Sequence, residues 1–403
     1  MAENRMLTLN SKYKLMNIRK FYHIYLFVGG FIYYLILPPC VALCKFFTTY
    51  PGMNYLYENF DKEFIFLYIA IIILFLSSFL TGSLLPLKYI NNKVSAIKTE
   101  HIIGERDLFL FSLPFFLLGQ YSIIQNSNNL FKGYQTEYAT DFMGSIATLN
   151  TLFLFFLIYY QTTARTNHTI KLYFLFSIIE FSTILLGLGS RMYILIPIIS
   201  YIIYLIDTHK IKIKTILFRL SIAILLLLIV GIWRLGNTNF SIDALAYIGI
   251  AEPVFTWISA GSLFSTSELP LFAFPSNFIT SFLNFIPTIF IPNKADLIQP
   301  ISLSYYSPLG ATSILVSLIA NFGILGSCIA LFLLGFFFSY IRLNAHTLFF
   351  KTYYCCICGI IPFQLFRDEF SIVNKMLFYN FLLFPCLFLI IEKFITSKYQ
   401  TKS

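Results

Sequence analysis

The chain has 403 residues, of which 58% are hydrophobic and only 11% are charged, and its mean hydropathy is +0.77. Soluble domains carry about 25% charged residues, so this composition excludes a soluble globular protein. The net charge of +10 comes from Lys and Arg residues in short segments between apolar runs, a distribution that orients membrane proteins and argues against nucleic-acid binding.

Ten apolar runs follow one another along the chain, and each is long enough, or nearly so, to cross a hydrocarbon core of about 30 Å as a helix. The runs cover residues 21–44, 64–87, 108–125, 142–161, 172–188, 192–206, 215–233, 313–341, 352–366 and 372–391. The sequence therefore predicts an all-α, polytopic membrane protein with about ten transmembrane helices. Residues 1–403 are expected to form a single integral membrane domain.

The orientation follows from the basic residues in the segments between the runs. With the N-terminus in the cytoplasm, 20 of the 28 Lys and Arg residues fall in cytoplasmic segments. Because cytoplasmic loops of membrane proteins are enriched in Lys and Arg, this arrangement is favoured over its inverse. The even number of spans then places the C-terminus in the cytoplasm as well.

One segment on the outer side, residues 234–312, is much longer than the others. It contains two apolar stretches, 244–264 and 278–291, and seven prolines (Pro253, Pro270, Pro275, Pro287, Pro292, Pro300 and Pro308). Because proline interrupts helices, we expect short helices at the outer membrane surface, with an extra pair of spans as the alternative. Long segments of this kind are often functional, so a site is expected here.

Outward cations are the first candidate site residues: Arg191, Arg234, Arg367 and Lys294. Arg191 is 16 residues from Asp207 at the cytoplasmic end of its run, which corresponds to about 24 Å of helix. Since the hydrocarbon core is about 30 Å thick, Arg191 should lie below the outer membrane boundary. Such arginines either anchor helix ends at lipid phosphates or bind a phosphate-containing ligand bidentately.

Carboxylates are the second group of candidates, because all five histidines map to the cytoplasmic side. An outer site would need a carboxylate as its general base, and Glu252, Asp243 and Asp368 are available. Each could equally be solvated or paired with an arginine. No nucleotide-binding glycine loop and no metal-ligand motif is found, so neither a cofactor nor a metal is predicted.

With these residues in view, the chain resembles the O-antigen polymerase (Wzy) family of oligosaccharide repeat-unit polymerases. The resemblance rests on Gly189-Ser190-Arg191 opening a span, and on Arg234 ending the next span before a long outer loop. It also rests on the segment from Ala320 to Gly326 after that loop.

The resemblance implies a glycosyltransferase of the bacterial inner membrane with its active site facing the periplasm, acting in lipopolysaccharide biosynthesis. Its substrate would be an oligosaccharide linked to undecaprenyl pyrophosphate, and membrane lipids would be further partners. Arg191, Arg234 and Arg367 would bind the pyrophosphate leaving group. The sequence does not decide whether a chain-length regulator protein also binds.

Two alternatives remain at this point. A flippase for lipid-linked oligosaccharides would also be polytopic and rich in cations, but the candidate site charges here lie at the outer rim instead of the midplane, and no internal repeat is evident. Polysaccharide ligases share the Ser-Arg span and the long loop, yet they carry a functional histidine in that loop. This chain has no histidine between residues 234 and 312, which favours a polymerase.

Overall fold

The computed structural model describes residues 20–44, 62–86, 103–130, 140–163, 167–188, 190–208, 213–234, 241–265, 269–286, 290–301 and 304–400. These residues form helices and turns, without β-strands. In chain order the helices are α1 (Tyr22–Cys44), α2 (Lys62–Leu84), α3 (Glu105–Gln125), α4 (Thr140–Thr162), α5 (His168–Gly187), α6 (Met192–Asp207), α7 (Ile213–Arg234), α8 (Ile242–Phe264), α9 (Ser276–Thr280), α10 (Lys294–Leu297), α11 (Ile314–Leu343), α12 (Leu348–Cys358), α13 (Gln364–Arg367) and α14 (Phe370–Met376, Leu377–Leu383 with π-helical turns, and Phe384–Gln400).

Side-chain caps fix where several helices begin. Asn167 accepts a hydrogen bond from the Thr169 amide ahead of α5, and Ser241 accepts one from the Ala244 amide in the first turn of α8. Ser313 and Thr347 cap α11 and α12 in the same way. The first amides of a helix have no partner within it, so each cap stabilises its helix by about 1 kcal/mol.

Eight helices of the described part, α1 to α5, α8, α11 and α14, are long and apolar enough to cross a membrane. This confirms the prediction of an all-α protein with several apolar, membrane-crossing helices, while the number ten and the orientation stay predictions. Two further apolar helices, α6 and α12, are too short to cross it unaided.

The predicted run 352–366 was wrong as a single helix. Helix α12 ends at Cys358, and the chain passes through turns before α13 begins at Gln364. A side chain at Gly359 would meet the Ile196 carbonyl oxygen of α6 at 2.5 Å, so the two backbones approach each other closely here. Gly359 and Pro362 are the residues within the run at which a break could have been predicted.

Glycine also brings α2 and α11 together. A side chain at Gly82 would collide with the Phe332 carbonyl oxygen of α11, and one at Gly335 would collide with the Phe79 carbonyl oxygen of α2. Membrane helices without a hydrophobic driving force between them associate through such small-residue contacts. Helix α4 lies deepest, and its side chains from Thr151 to Tyr160 are all buried.

A polar network joins four helix ends on one side of the bundle, which we call the Asp207 face. Asp207 at the end of α6 binds Arg342 of α11 (2.6 Å) and Lys351 of α12 (3.6 Å), and accepts a hydrogen bond from Tyr22 of α1 (3.4 Å). Next to it, buried His23 is bonded to Tyr354, with 2.8 Å between Nδ1 and the hydroxyl oxygen. This face is the cytoplasmic one in the predicted orientation.

Helix α8 corrects the expectation of short, proline-interrupted helices for this part of the long segment. It runs unbroken for 23 residues, with Pro253 in its interior. A proline in a helix leaves the carbonyl four residues earlier without its usual partner, and here that is the carbonyl of Gly249. The hydroxyl of Tyr33 in α1 donates to this carbonyl instead. The bond lost at Pro253 is thus replaced from a neighbouring helix.

Helix α8 is long enough to cross a membrane, and besides Tyr33 in the middle of α1 it contacts residues near the ends of two other helices. Ile248 packs at Gly231, near the C-terminal end of α7. Further along α8, Trp257 and Phe264 contact Tyr68, near the N-terminal end of α2. In a bundle of alternating helices these two ends lie on the same face, opposite Asp207. Helix α8 thus contacts the ends of α7 and α2 that the predicted orientation places outside, and whether it crosses the membrane stays a prediction.

Candidate functional site

Four charged side chains from three separate parts of the chain meet in one cluster. Glu252 of α8 binds both Arg367 (Nε to Oε2, 2.6 Å) and Arg191 (Nη2 to Oε1, 3.7 Å). Arg367 also binds its neighbour Asp368 (Nη1 to Oδ1, 2.7 Å). The charge cluster thus contains two guanidinium groups and two carboxylates, and its formal charge is zero.

The cluster is largely enclosed. The side chains of Arg191 and Glu252 are each 18% exposed, that of Arg367 is 19% exposed and that of Asp368 only 2%. Helix α6, which Arg191 precedes, has 16 residues and spans about 24 Å from the Asp207 face. This is shorter than a hydrocarbon core of about 30 Å, so the depth predicted for Arg191 applies to the whole cluster and stays a prediction.

Glycine makes room for Arg191 beside α7. The Arg191 backbone forms the N-cap of α6, and the side chain reaches across α7 at Gly231. A side chain at Gly231 would collide with the Arg191 guanidinium. Gly231 is not among the residues predicted from the sequence, because a lone glycine in an apolar run gives little signal.

Unpartnered polar atoms lie beside the cluster. Tyr34 of α1 stacks on Phe366, with ring centroids 6.0 Å apart, and its buried hydroxyl has no hydrogen-bond partner among the described residues. The amide nitrogen of buried Gln364 donates to Asp368, and its amide oxygen is likewise unpartnered within that part of the chain. Buried polar groups are normally satisfied, so a further hydrogen-bonding group, such as water or a ligand oxygen, is expected beside these charges.

Of the remaining predicted site residues, Asp243 lies apart from these ion pairs and Lys294 is bonded to the backbone of the long segment. Asp243 is exposed in the first turn of α8, nine residues and about 13 Å of helix before Glu252. Lys294 is buried in the long segment, where its ammonium group donates to the Ile286 carbonyl (3.0 Å). Arg234 ends α7, and its side chain lies outside the described residues.

The long segment folds back onto α11 and α14. Glu369 accepts a hydrogen bond from the Ile301 amide (3.1 Å), next to the charge cluster. Asn284 donates to the Ser371 carbonyl (2.9 Å), and Asn374 donates to Ser281 (2.8 Å). Asn321 of α11 accepts from the Phe278 amide at 2.7 Å. The described parts of residues 269–313 are therefore attached to the helices that carry the cluster.

An apolar cleft of about 280 Å³ lies beside this attached segment. Its walls are formed by the segment, α11, α12 and α14, mainly by Phe282, Phe285, Phe337, Tyr353, Phe378 and Leu382. Phe337 and Leu382 are 44% and 55% exposed, so the cleft opens towards the apolar outer surface of the bundle. None of the four charged residues of the cluster lines it.

Comparisons with models of known protein families, with curated proteins and with solved structures give no match to this chain.

Proposed function

We propose that the protein is a polysaccharide polymerase that joins lipid-linked oligosaccharide repeat units. The carrier would be undecaprenyl pyrophosphate, and the reaction would take place on the periplasmic face of the bacterial inner membrane. The main support is the enclosed charge cluster of Arg191, Glu252, Arg367 and Asp368, which lies on the face opposite Asp207. The resemblance of the Gly-Ser-Arg span and the long outer segment to O-antigen polymerases agrees with this function.

Two arginines at this depth suit a pyrophosphate at the level of lipid headgroups. Guanidinium groups bind phosphate oxygens bidentately and keep their charge at any physiological pH. Glu252 accepts a hydrogen bond from Nε of Arg367 and forms an ion pair with Arg191 at 3.7 Å. A pyrophosphate offers oxygen acceptors of the same kind, so it would compete with Glu252 for these donors and free the carboxylate.

The freed carboxylate would then serve as the general base. The acceptor sugar hydroxyl loses its proton to Glu252 as its oxygen bonds to the anomeric carbon of the donor chain. The bond between that carbon and the pyrophosphate oxygen breaks, and the electron pair leaves with the lipid carrier. Arg191 and Arg367 stabilise the charge that develops on the leaving group, which matters most in a site shielded from water.

Two observations favour a polymerase over a flippase. The long segment is attached over the helices of the cluster, as expected for a site that holds two substrates on one face. On the other face, Asp207, Arg342, Lys351 and Tyr22 tie four helix ends together. A transporter that alternates its access would have to open that buried network in every cycle.

The test is the surface-glycan profile of the host after deletion of the gene and complementation with variants. Deletion should abolish the ladder of polymer lengths and leave a single repeat unit attached to its acceptor. If no repeat were attached at all, the block would lie in flipping or ligation and the polymerase proposal would be wrong. Arg191→Ala should behave like the deletion, and Arg191→Lys should restore little because an ammonium group cannot bind bidentately.

Arg106 supplies the matched control. It lies exposed in the first turn of α3, so Arg106→Ala removes a guanidinium without touching the cluster. This variant should give the wild-type ladder. Wild-type chain lengths in Arg191→Ala, with the protein present in the membrane at normal amounts, would exclude the role of the arginines.

A further inference from the structure

Helix α11 is interrupted at Gly323, and the interruption holds the long segment. Gly323 has φ 70° and ψ −179°, a conformation that is essentially restricted to glycine. The amides of Ile324 and Leu325 point away from the helix and donate to the carbonyls of Pro270 (2.9 Å) and Leu271 (3.0 Å). A side chain at Gly323 would lie 2.6 Å from the Leu271 carbonyl, so no side chain separates the two backbones.

The position of Gly323 in α11 also gives its depth in the membrane. From Ile324 to Leu343 the helix has 20 residues, or about 30 Å, which equals the thickness of a hydrocarbon core. Arg342, one residue before its end, belongs to the charged network of the Asp207 face. Gly323 therefore lies at the opposite membrane boundary. Leu325, Ile329 and Leu333 follow it along the helix and are 42%, 56% and 57% exposed, as expected for side chains that face lipid.

The segment docked at Gly323 is itself apolar and exposed. Leu271, Phe272 and Phe274 are 62%, 65% and 76% exposed. No charged residue occurs between Glu268 and Lys294. An exposed apolar patch of this kind is costly in water and favourable at the boundary between lipid headgroups and acyl chains. Here it continues the lipid-facing surface of α11 at the level of Leu325.

We propose that Leu271, Phe272 and Phe274 insert into the phospholipid leaflet at the Gly323 boundary and anchor the long segment to the membrane surface. The main-chain bonds to α11 fix the position of this anchor, and lipid covers its side chains. The anchor holds one edge of the segment that folds over the charge cluster. It does not depend on the reaction that the cluster performs.

Tryptophan fluorescence in lipid vesicles tests the depth of the anchor. The full-length protein carrying Trp233→Phe provides the background, in which Trp257 remains buried at 3% exposure. Phe272→Trp and Phe274→Trp are reconstituted in phosphatidylcholine brominated near the glycerol end or near the methyl end of the acyl chains. Both should be quenched about twofold more by the shallow bromines than by the deep ones, since interfacial segments insert only about 5–10 Å.

Two control variants calibrate the readings. Leu333→Trp, in the middle of α11, should be quenched best by the deep bromines. His346→Trp, exposed in the turn between α11 and α12, should be quenched by aqueous iodide and not by brominated lipid.

The anchor would be disproved if Phe272→Trp and Phe274→Trp behaved like His346→Trp, because the segment would then lie in water. Quenching by neither lipid nor iodide would also overturn the proposal, since it would mean that protein, such as a second copy of the chain, covers these residues. Phe274 is 76% exposed, so we expect a tryptophan there to leave the fold unchanged. If Phe272→Trp does not fold, Phe274→Trp alone decides the test.

Discussion

Glu252 is held between the Arg367 and Arg191 guanidinium groups, at 2.6 and 3.7 Å. A carboxylate in this position can act as a structural counter-ion, as a general base that a substrate releases from its arginines, or as both. Removing its charge separates these roles, because a neutral amide keeps much of the packing but cannot accept a proton from a sugar hydroxyl.

We therefore predict that Glu252→Gln abolishes polymer formation. General-base catalysis contributes about 10²- to 10⁴-fold, so the rate with purified lipid-linked repeat units should fall at least 100-fold. Asp243→Asn is the matched control, since Asp243 is an exposed carboxylate on the same helix. An equal loss in Asp243→Asn, or a normal rate in Glu252→Gln, would remove Glu252 from the mechanism.

Tyr33 allows a second prediction at the scale of single residues. Its hydroxyl donates to the Gly249 carbonyl, which the proline at position 253 leaves without a helical partner. Tyr33→Phe should lower the free energy of unfolding by about 1–3 kcal/mol, the cost of leaving a buried carbonyl unpaired. Thermal unfolding in detergent measures this. If Tyr33→Phe were as stable as wild type, the hydroxyl would not be what makes Pro253 tolerable in α8.

Among the helices, α11 depends most visibly on one position. Gly323→Ala would place a methyl group 2.6 Å from the Leu271 backbone and force a conformation that alanine avoids. Strain and steric overlap each cost about 1–3 kcal/mol, so we expect a loss of stability of about 3 kcal/mol. Thermal unfolding of the purified variant, measured beside wild type, gives the value.

Gly261→Ala is the control for this change. Gly261 lies inside α8, and a methyl group added there would have no neighbouring atom within 4 Å, so alanine should be neutral or slightly stabilising. A similar effect of both substitutions would mean that the contact between α11 and the long segment contributes nothing to stability.

The elements were largely predictable, and the contacts between them were not. The length and apolarity of the runs predicted the described membrane-crossing helices other than α8. A chain segment in lipid must form all its backbone hydrogen bonds within itself, so a long apolar run has to be a helix. The depth of Arg191, counted as 16 residues from Asp207, stays a prediction. The pairing of Glu252 with Arg367 joins residues 115 positions apart, and no local pattern encodes it. Pro253 was misleading because Tyr33, which donates the replacing hydrogen bond, is far from it in the sequence.

At the scale of the whole molecule, charges are paired at both faces of the bundle but with different consequences. On the Asp207 face the ion pair of Asp207 and Arg342 is buried, with side-chain exposures of 6% and 9%. Tyr22 and Tyr354 enclose the guanidinium, which lies 5.5 and 5.0 Å from their ring centroids. On the opposite face the cluster adjoins unpartnered groups and an attached segment. One face is therefore closed, and the other has unpaired polar groups that the substrate would meet under the proposed function.

A double-mutant cycle tests the closed face. Asp207→Asn and Arg342→Gln should each destabilise the protein, because the first leaves the buried Arg342 guanidinium unpaired and the second leaves Asp207 only its longer ion pair with Lys351. Their coupling should be about 3 kcal/mol. Thermal unfolding of the four proteins gives the coupling. At temperatures where Asp207→Asn remains folded, it should form polymer of normal length. Loss of repeat-unit export in that variant would instead favour a transporter.

The hydrogen bonds at Gly323 use two carbonyl oxygens and no side-chain atom of the docked segment. The hydrogen-bonded contact therefore depends mainly on the residues of the helix, above all on Gly323. A library randomised among apolar residues at positions 271 and 272 should retain the contact, whereas position 323 should accept glycine alone. Homologous chains could thus exchange the sequence of this outer segment freely, and alter what it presents above the membrane, while the segment stays in its place.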